Sequence, residues 1–161
     1  MKKLLLIPAL VLSFGLFLQL SSSAEEKTVN ATITPLVVSI SVSPDTVTYG
    51  TRSAGVGEVS SDPEKIAVTN TGTVTQNLQI KGANSSSGEW ILALAAGTDT
   101  FVHRFSTNNS SYTDMTTDYK NLQMNVIAGG AIDLYLRLVV PTVITKTAVQ
   151  TLPVKILGTQ Q

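Results

Sequence analysis

Beyond an apolar run at its start, the chain alternates. From residue 131 to 140, Ile132, Leu134, Leu136, Leu138 and Val140 fall on one side of an extended backbone, and Asp133, Tyr135 and Arg137 on the other. That period of two is the pattern of a strand with one buried face and one wet face. Similar runs, separated by Gly, Asn, Asp and Pro, predict strands over 29–33, 37–42, 46–49, 65–69, 74–80, 89–94, 100–106, 120–126, 131–140 and 149–156. The expected inward positions are Ile66 and Val68, then Val74, Leu78 and Ile80, then Trp90, Leu92 and Leu94, then Leu122, Met124 and Val126. Helical spacing fits only the leading apolar run, so little or no helix is expected. Asn70-Thr71-Gly72 reads as a tight hairpin turn and Gly129-Gly130 as a turn needing positive φ. Two stretches are looser, 53–63 and 107–118. Ten short strands in one domain predict a β-sandwich or barrel.

The leading run has a different meaning. Lys2 and Lys3 precede apolar residues 4–20, and Ser22-Ser23-Ala24 follows. This order of basic start, apolar stretch and small residues is that of a secretory signal peptide, cleaved after Ala24. The expected organisation is a signal peptide over 1–24 and a single domain over 25–161. An uncleaved anchor is the competing reading, which Pro8, Gly15 and Gln19 disfavour. No later stretch is apolar enough to span a bilayer, so the expected location is secreted, extracellular or in the cell envelope.

Composition narrows the function. Eleven basic residues balance 11 acidic ones, and losing the leader leaves a slightly acidic chain without a basic run. Nucleic acid is therefore not an expected partner. The absence of cysteine excludes disulfides, a thiolate zinc site and a cysteine nucleophile.

Three pieces of sequence carry a family likeness: Ser43-Pro44 with Val47, Tyr49 and Gly50; Ile66, Val68 and Thr69 running into Asn70-Thr71-Gly72; and Leu78, Ile80 and Gly82. In this order they resemble the immunoglobulin-like domains of the abnormal-spindle and Hydin type found in secreted bacterial proteins. The resemblance covers 42–82. It implies an all-β fold, a single immunoglobulin-like antiparallel β-sandwich, and a binding or structural role with no catalytic residues to carry over. A second resemblance, to Trp-x-Leu surface proteins that bind cell wall, rests on Gly88-Glu89-Trp90-Ile91-Leu92. Those proteins carry two such motifs, whereas Trp90 is the only tryptophan here, and its alternation with Leu92 and Leu94 reads as a core aromatic.

Candidate chemistry is sparse. His103, the single histidine, shares a strand face with Phe101 and Phe105 and reads as a core residue. No nucleophile elbow, phosphate loop or dinucleotide fingerprint occurs, and the scattered acids Asp99, Asp114, Asp118 and Asp133 read as turn formers. No enzyme is expected and no cofactor is required. The one metal reading is calcium at Asn108, Asn109, Asp114 and Asp118, whose oxygens suit a hard cation, against an Asn/Ser-rich hairpin tip. Asn30, Asn84, Asn108 and Asn109 each begin a glycosylation sequon.

Two functional readings remain. The first is a secreted, non-enzymatic structural or adhesion-type sandwich of the cell surface or extracellular matrix, whose partner is another protein or itself. In it, residues 28–33 alternate and are divided from the next strand by Pro35, so they could pair with the edge of a neighbouring subunit or form an ordinary edge strand of their own domain. The alternative is a monomeric module for polysaccharide or cell wall. Tyr112, Tyr119 and Tyr135 are the aromatics placed to stack on sugar rings.

Overall fold

The computed structural model describes residues 27–161; the expected signal peptide lies outside the described residues. The chain forms two units, Met1–Ile33 and Thr34–Gln161, and the strands among the described residues belong to the second. Among the described residues there are nine strands and no helix. In chain order they are β1 Ile40–Ser43, β2 Glu58–Asn70, β3 Gln76–Gly82, β4 Ile91–Leu92, β5 Thr100–Ser106, β6 Thr113–Asp114, β7 Lys120–Val126, β8 Ala131–Val139 and β9 Val154–Gln160. Among the described residues no helix is long and apolar enough to cross a membrane.

The strands form two sheets. One has the order β1-β2-β8-β5-β4, with β6 also pairing with β5; the other is β7-β3-β9. Alternation explains how they pack. Ile66 and Val68 of β2 and Leu134 and Leu136 of β8 meet Leu78 and Ile80 of β3 and Leu122 and Val126 of β7 in one buried cluster between the sheets. A second cluster, Phe101, Leu138 and Val140, is lined by Tyr49, Val59, Trp90, Leu92, Ile144 and Leu152. The architecture is all-β and sandwich-like, and burial of these side chains is its main driving force.

Two expected strands, β5 and β7, keep both boundaries, and β8 differs by one residue. Others change. Residues 29–33 carry no strand, and 46–49 shrinks to a single bridge between Thr48 and Asp62. The 149–156 strand moves to Val154–Gln160, leaving Val149 exposed. β6 was not expected. β4 pairs with β5 in parallel through Ile91↔Thr100 and Leu92↔Phe101, a short exception to antiparallel pairing. Leu94 lies past these two pairs and is exposed.

The expected Asn70-Thr71-Gly72 hairpin is instead a crossing between sheets, since β2 and β3 lie in different ones. Met124, expected inside, is also exposed. The β3–β7 register shifts twice, and Asn125, with φ 58°, turns the strand as its N–H donates to Asn77 Oδ1. A bulge of this kind reverses which face a side chain meets. Pro63 likewise sits where the β2–β8 register shifts, between Ser60 and Lys65, the position in a strand that tolerates a residue without an N–H.

Candidate functional site

The calcium candidates do not come together as one set of free oxygens. Asn108 Oδ1 accepts hydrogen bonds from the Ser106 and Ser110 hydroxyls and from the backbone N–H groups of Ser110 and Ser111. Asn109 Oδ1 accepts from the Tyr112 hydroxyl while its amide donates to Glu64. Asp114 lies in β6 and faces Arg104, whose Nε donates to it at 2.6 Å. Asp118 is exposed, and its backbone carbonyl accepts from the Thr116 hydroxyl. This is the hydrogen-bonding of an Asx-type hairpin tip. A cation reaching Asp114 would have to displace the Arg104 guanidinium.

Asn109, through Tyr112, and Asp114, through Arg104, join a polar network on the outer face of the larger sheet that sequence reading missed. Glu58 bridges Arg104 at 3.3 Å and Arg137 at 3.6 Å, and Arg137 lies over the Tyr112 ring at 4.1 Å. Burial, ahead of charge effects, raises the Tyr112 pKa. The alternation on β8 placed Arg137 outward and that on β5 could have done the same for Arg104, but only the β5–β8 register, Arg104↔Arg137, sets them side by side with Glu58 between.

His103 is a core residue, 2% exposed. Its Nε2 and the Tyr49 hydroxyl share a hydrogen bond of 2.6 Å, and the rings meet edge-on at 5.6 Å. Burial pushes the imidazole pKa down to about 4 and raises that of the phenol, so both groups are neutral near pH 7. Trp90 packs beside Phe101 at 6.4 Å, and its Nε1–H donates to the Lys146 carbonyl, which places it in the lining of the second cluster.

The most distinctive geometry lies where the chain crosses between sheets. Asn70 is fully buried. Its amide donates to the carbonyls of Val74 and Val126, and its Oδ1 accepts from Gly72 N–H and from Gln76 Nε2. Its backbone also pairs with Gly129 and Gly130, so one side chain and one peptide tie the β2–β3 and β7–β8 crossings together. Gly72 is required here, because a Cβ would lie 2.3 Å from the Val37 carbonyl oxygen. Gly129 takes the expected positive φ, 75°.

Next to this corner, β1 and β9 form the edges of their sheets on the same side of the molecule. Gly158 lets them approach: a Cβ there would stand 2.9 Å from Ile40 Cγ2 and 2.3 Å from Gln76 Oε1. Between them runs a shallow groove of about 210 Å³ lined by Val38, Ser39, Ile40, Gln76, Ile156, Leu157 and Gly158. Gln76 is fully buried at its floor; its Nε2 donates to Ser39 O and Asn70, whereas its Oε1 has no hydrogen-bond partner. None of the residues lining this groove belongs to the 107–118 loop; they sit on and beside the β1 and β9 edges. Comparison with protein-family models, with curated proteins and with solved structures finds no match to this chain, so a functional reading has to come from the geometry itself.

Proposed function

We propose that the protein is a secreted, non-enzymatic structural or adhesion-type module, an immunoglobulin-like β-sandwich exported by its leader and built into a cell-surface or extracellular layer. It associates with copies of itself by exchange of its N-terminal strand. One observation carries the reading. A segment patterned as a strand, 28–33, forms no strand, with Val29 89% and Ile33 90% exposed, while the sandwich keeps two neighbouring edges, the four-residue β1 and the seven-residue β9, with an apolar groove between them. Unpaired edges invite strand addition, in which backbone hydrogen bonds give affinity and alternate side chains give register.

Light scattering after size exclusion, with negative-stain imaging of large fractions, tests this on the exported protein and on a variant lacking 28–33. Oligomers or filaments that the deletion abolishes are the expected result. A monomer at every concentration, or assembly that survives the deletion, overturns it.

A further inference from the structure

The self-association just proposed leaves open where the donated strand goes, and the structure assigns an acceptor. We infer that residues 28–33 of one copy add to the free edge of β9 in a second copy, seating Val29, Ala31 and Ile33 in the groove beneath Val38 and Ile40. This inference rests on the proposed strand exchange and specifies its partner surface.

Three features of the acceptor support it. First, Val38 shares the face of Ile40 and Val42, which pack on the main core, yet it is 42% exposed and Leu36 57%. The inward row of this strand therefore continues past the end of its cover, and a strand laid against β9 would cover it. Second, the groove is walled by the apolar side chains of Val38, Ile40, Ile156 and Leu157, which suit the Val29, Ala31 and Ile33 side chains of the arm. Third, among the described residues β9 pairs with β3 alone, over seven residues. At about 3.3 Å per residue, a six-residue arm of about 20 Å matches it in length.

The other edges are less receptive. β7 carries two register shifts and a positive-φ Asn125. The outer side of β5 is already taken by β4 and β6, with the Arg104–Asp114 ion pair across the latter. Bulges, short strands and charges are the devices that keep edges from pairing. On β9 the only charge is Lys155, near its start.

The donor belongs to another copy because of how the chain approaches β1. The Thr73 hydroxyl donates to Pro35 O and accepts from Val37 N–H, and Thr73 N–H donates to Val37 O. These bonds pin 35–37 at the end of the sandwich where β9 finishes, since Gln160 pairs with Gln76 and Gln161 N–H reaches Thr75. To reach its own β9, the arm would have to double back within 33–36. Given to a neighbour, it needs no reversal. Each copy then donates once and accepts once, a contact that closes into a ring or swapped dimer, or runs on as an open fibre, according to the rotation between copies.

Because the natural chain has no cysteine, disulfide trapping reads the contact directly. Asn30 is mid-arm and Leu157 mid-β9, so they oppose each other whether the strands run parallel or antiparallel, at a Cα spacing within the range of a disulfide. Full chains carrying Asn30→Cys or Thr32→Cys are mixed with chains carrying Leu157→Cys, under mild oxidation. The expected result is a mixed disulfide dimer with Leu157→Cys and none with Met124→Cys, which marks the β7 edge. In parallel, Val38→Lys should raise the concentration for half-assembly at least about tenfold without shifting the thermal midpoint. Cross-linking through Met124 alone, or assembly that needs 28–33 but gives no Leu157 cross-link and tolerates Val38→Lys, overturns the acceptor while leaving strand exchange standing. Assembly independent of 28–33 overturns both.

Discussion

The two sides of this sandwich handle the same problem in opposite ways. On one side, the β5 edge is split between two two-residue strands, Arg104 holds Asp114, and Asp99 accepts from the Thr145 hydroxyl and backbone N–H, so the 143–145 segment is tied across the start of β5. Those bonds from Thr145, the side-chain one first, hold the Asp99 carboxyl below its ordinary pKa. On the other side, β1 and β9 end in an apolar groove with one lysine nearby. Edges are normally blunted because a row of unpaired backbone groups templates pairing with other chains. A fold that guards one side and leaves the other open presents a single polarity for association. A surface that is sticky all round would aggregate instead.

The contrast can be broken hardest at its shared anchor. Asn70→Ala would take a buried donor from the Val74 and Val126 carbonyls and an acceptor from Gly72 N–H and Gln76 Nε2, which would keep only Ser39 O, for a loss of about 4 kcal/mol in urea unfolding. Gly72→Ala attacks the open side alone by forcing a methyl against the Val37 carbonyl, and should cost about 3 kcal/mol.

Acid should strike the guarded side. Folding lowers the His103 pKa from 6.5 to about 4, so between those values the unfolded chain binds the extra proton. Stability is then complete above pH 6.5 and falls as the pH drops towards 4, by roughly 3 kcal/mol over the window. Unfolding free energies measured across it should show this slope, and His103→Gln, whatever it costs at pH 7, should flatten it.

Two smaller effects sharpen the comparison. Arg104→Ala removes an ion pair that is about a third exposed and should cost about 1 kcal/mol in urea unfolding while leaving the oligomeric state, read by light scattering, unchanged. Val38→Lys should lie within about 0.5 kcal/mol of the natural chain in stability, although it charges the groove. A large loss of stability from Val38→Lys, or new association from Arg104→Ala, would mean that the open and guarded sides have been assigned the wrong way round.

Much of this was legible in the alternation. β5, β7 and β8 were expected almost to the residue, and Ile66, Val68, Leu78, Ile80, Leu134, Leu136 and Leu138 were correctly placed inside, because one-sided burial imposes period two wherever a strand is regular. Met124 and Leu94 were misplaced for the converse reason: a bulge and a two-residue strand interrupt the period, and nothing local announces either. The β6 strand and fully buried Met115 lay hidden in a stretch rich in Asn, Ser and Thr, where composition indicates loop. The candidate acceptor was not legible at all. Val38, Gln76 and Gly158 are distant in sequence, and neither a glutamine nor a glycine signals a groove.

The sequence by itself determined the class of the fold and most of its inward-facing residues, because the alternation of side chains across a strand is a local property that the backbone enforces. Which strands became neighbours, which edges stayed open, and that Asn70-Thr71-Gly72 crosses between sheets instead of closing a hairpin were decided only by the tertiary structure. Sheet order depends on which apolar faces bury together and where buried polar groups such as Asn70 find partners far along the chain, and no short window of sequence contains both sides of those contacts.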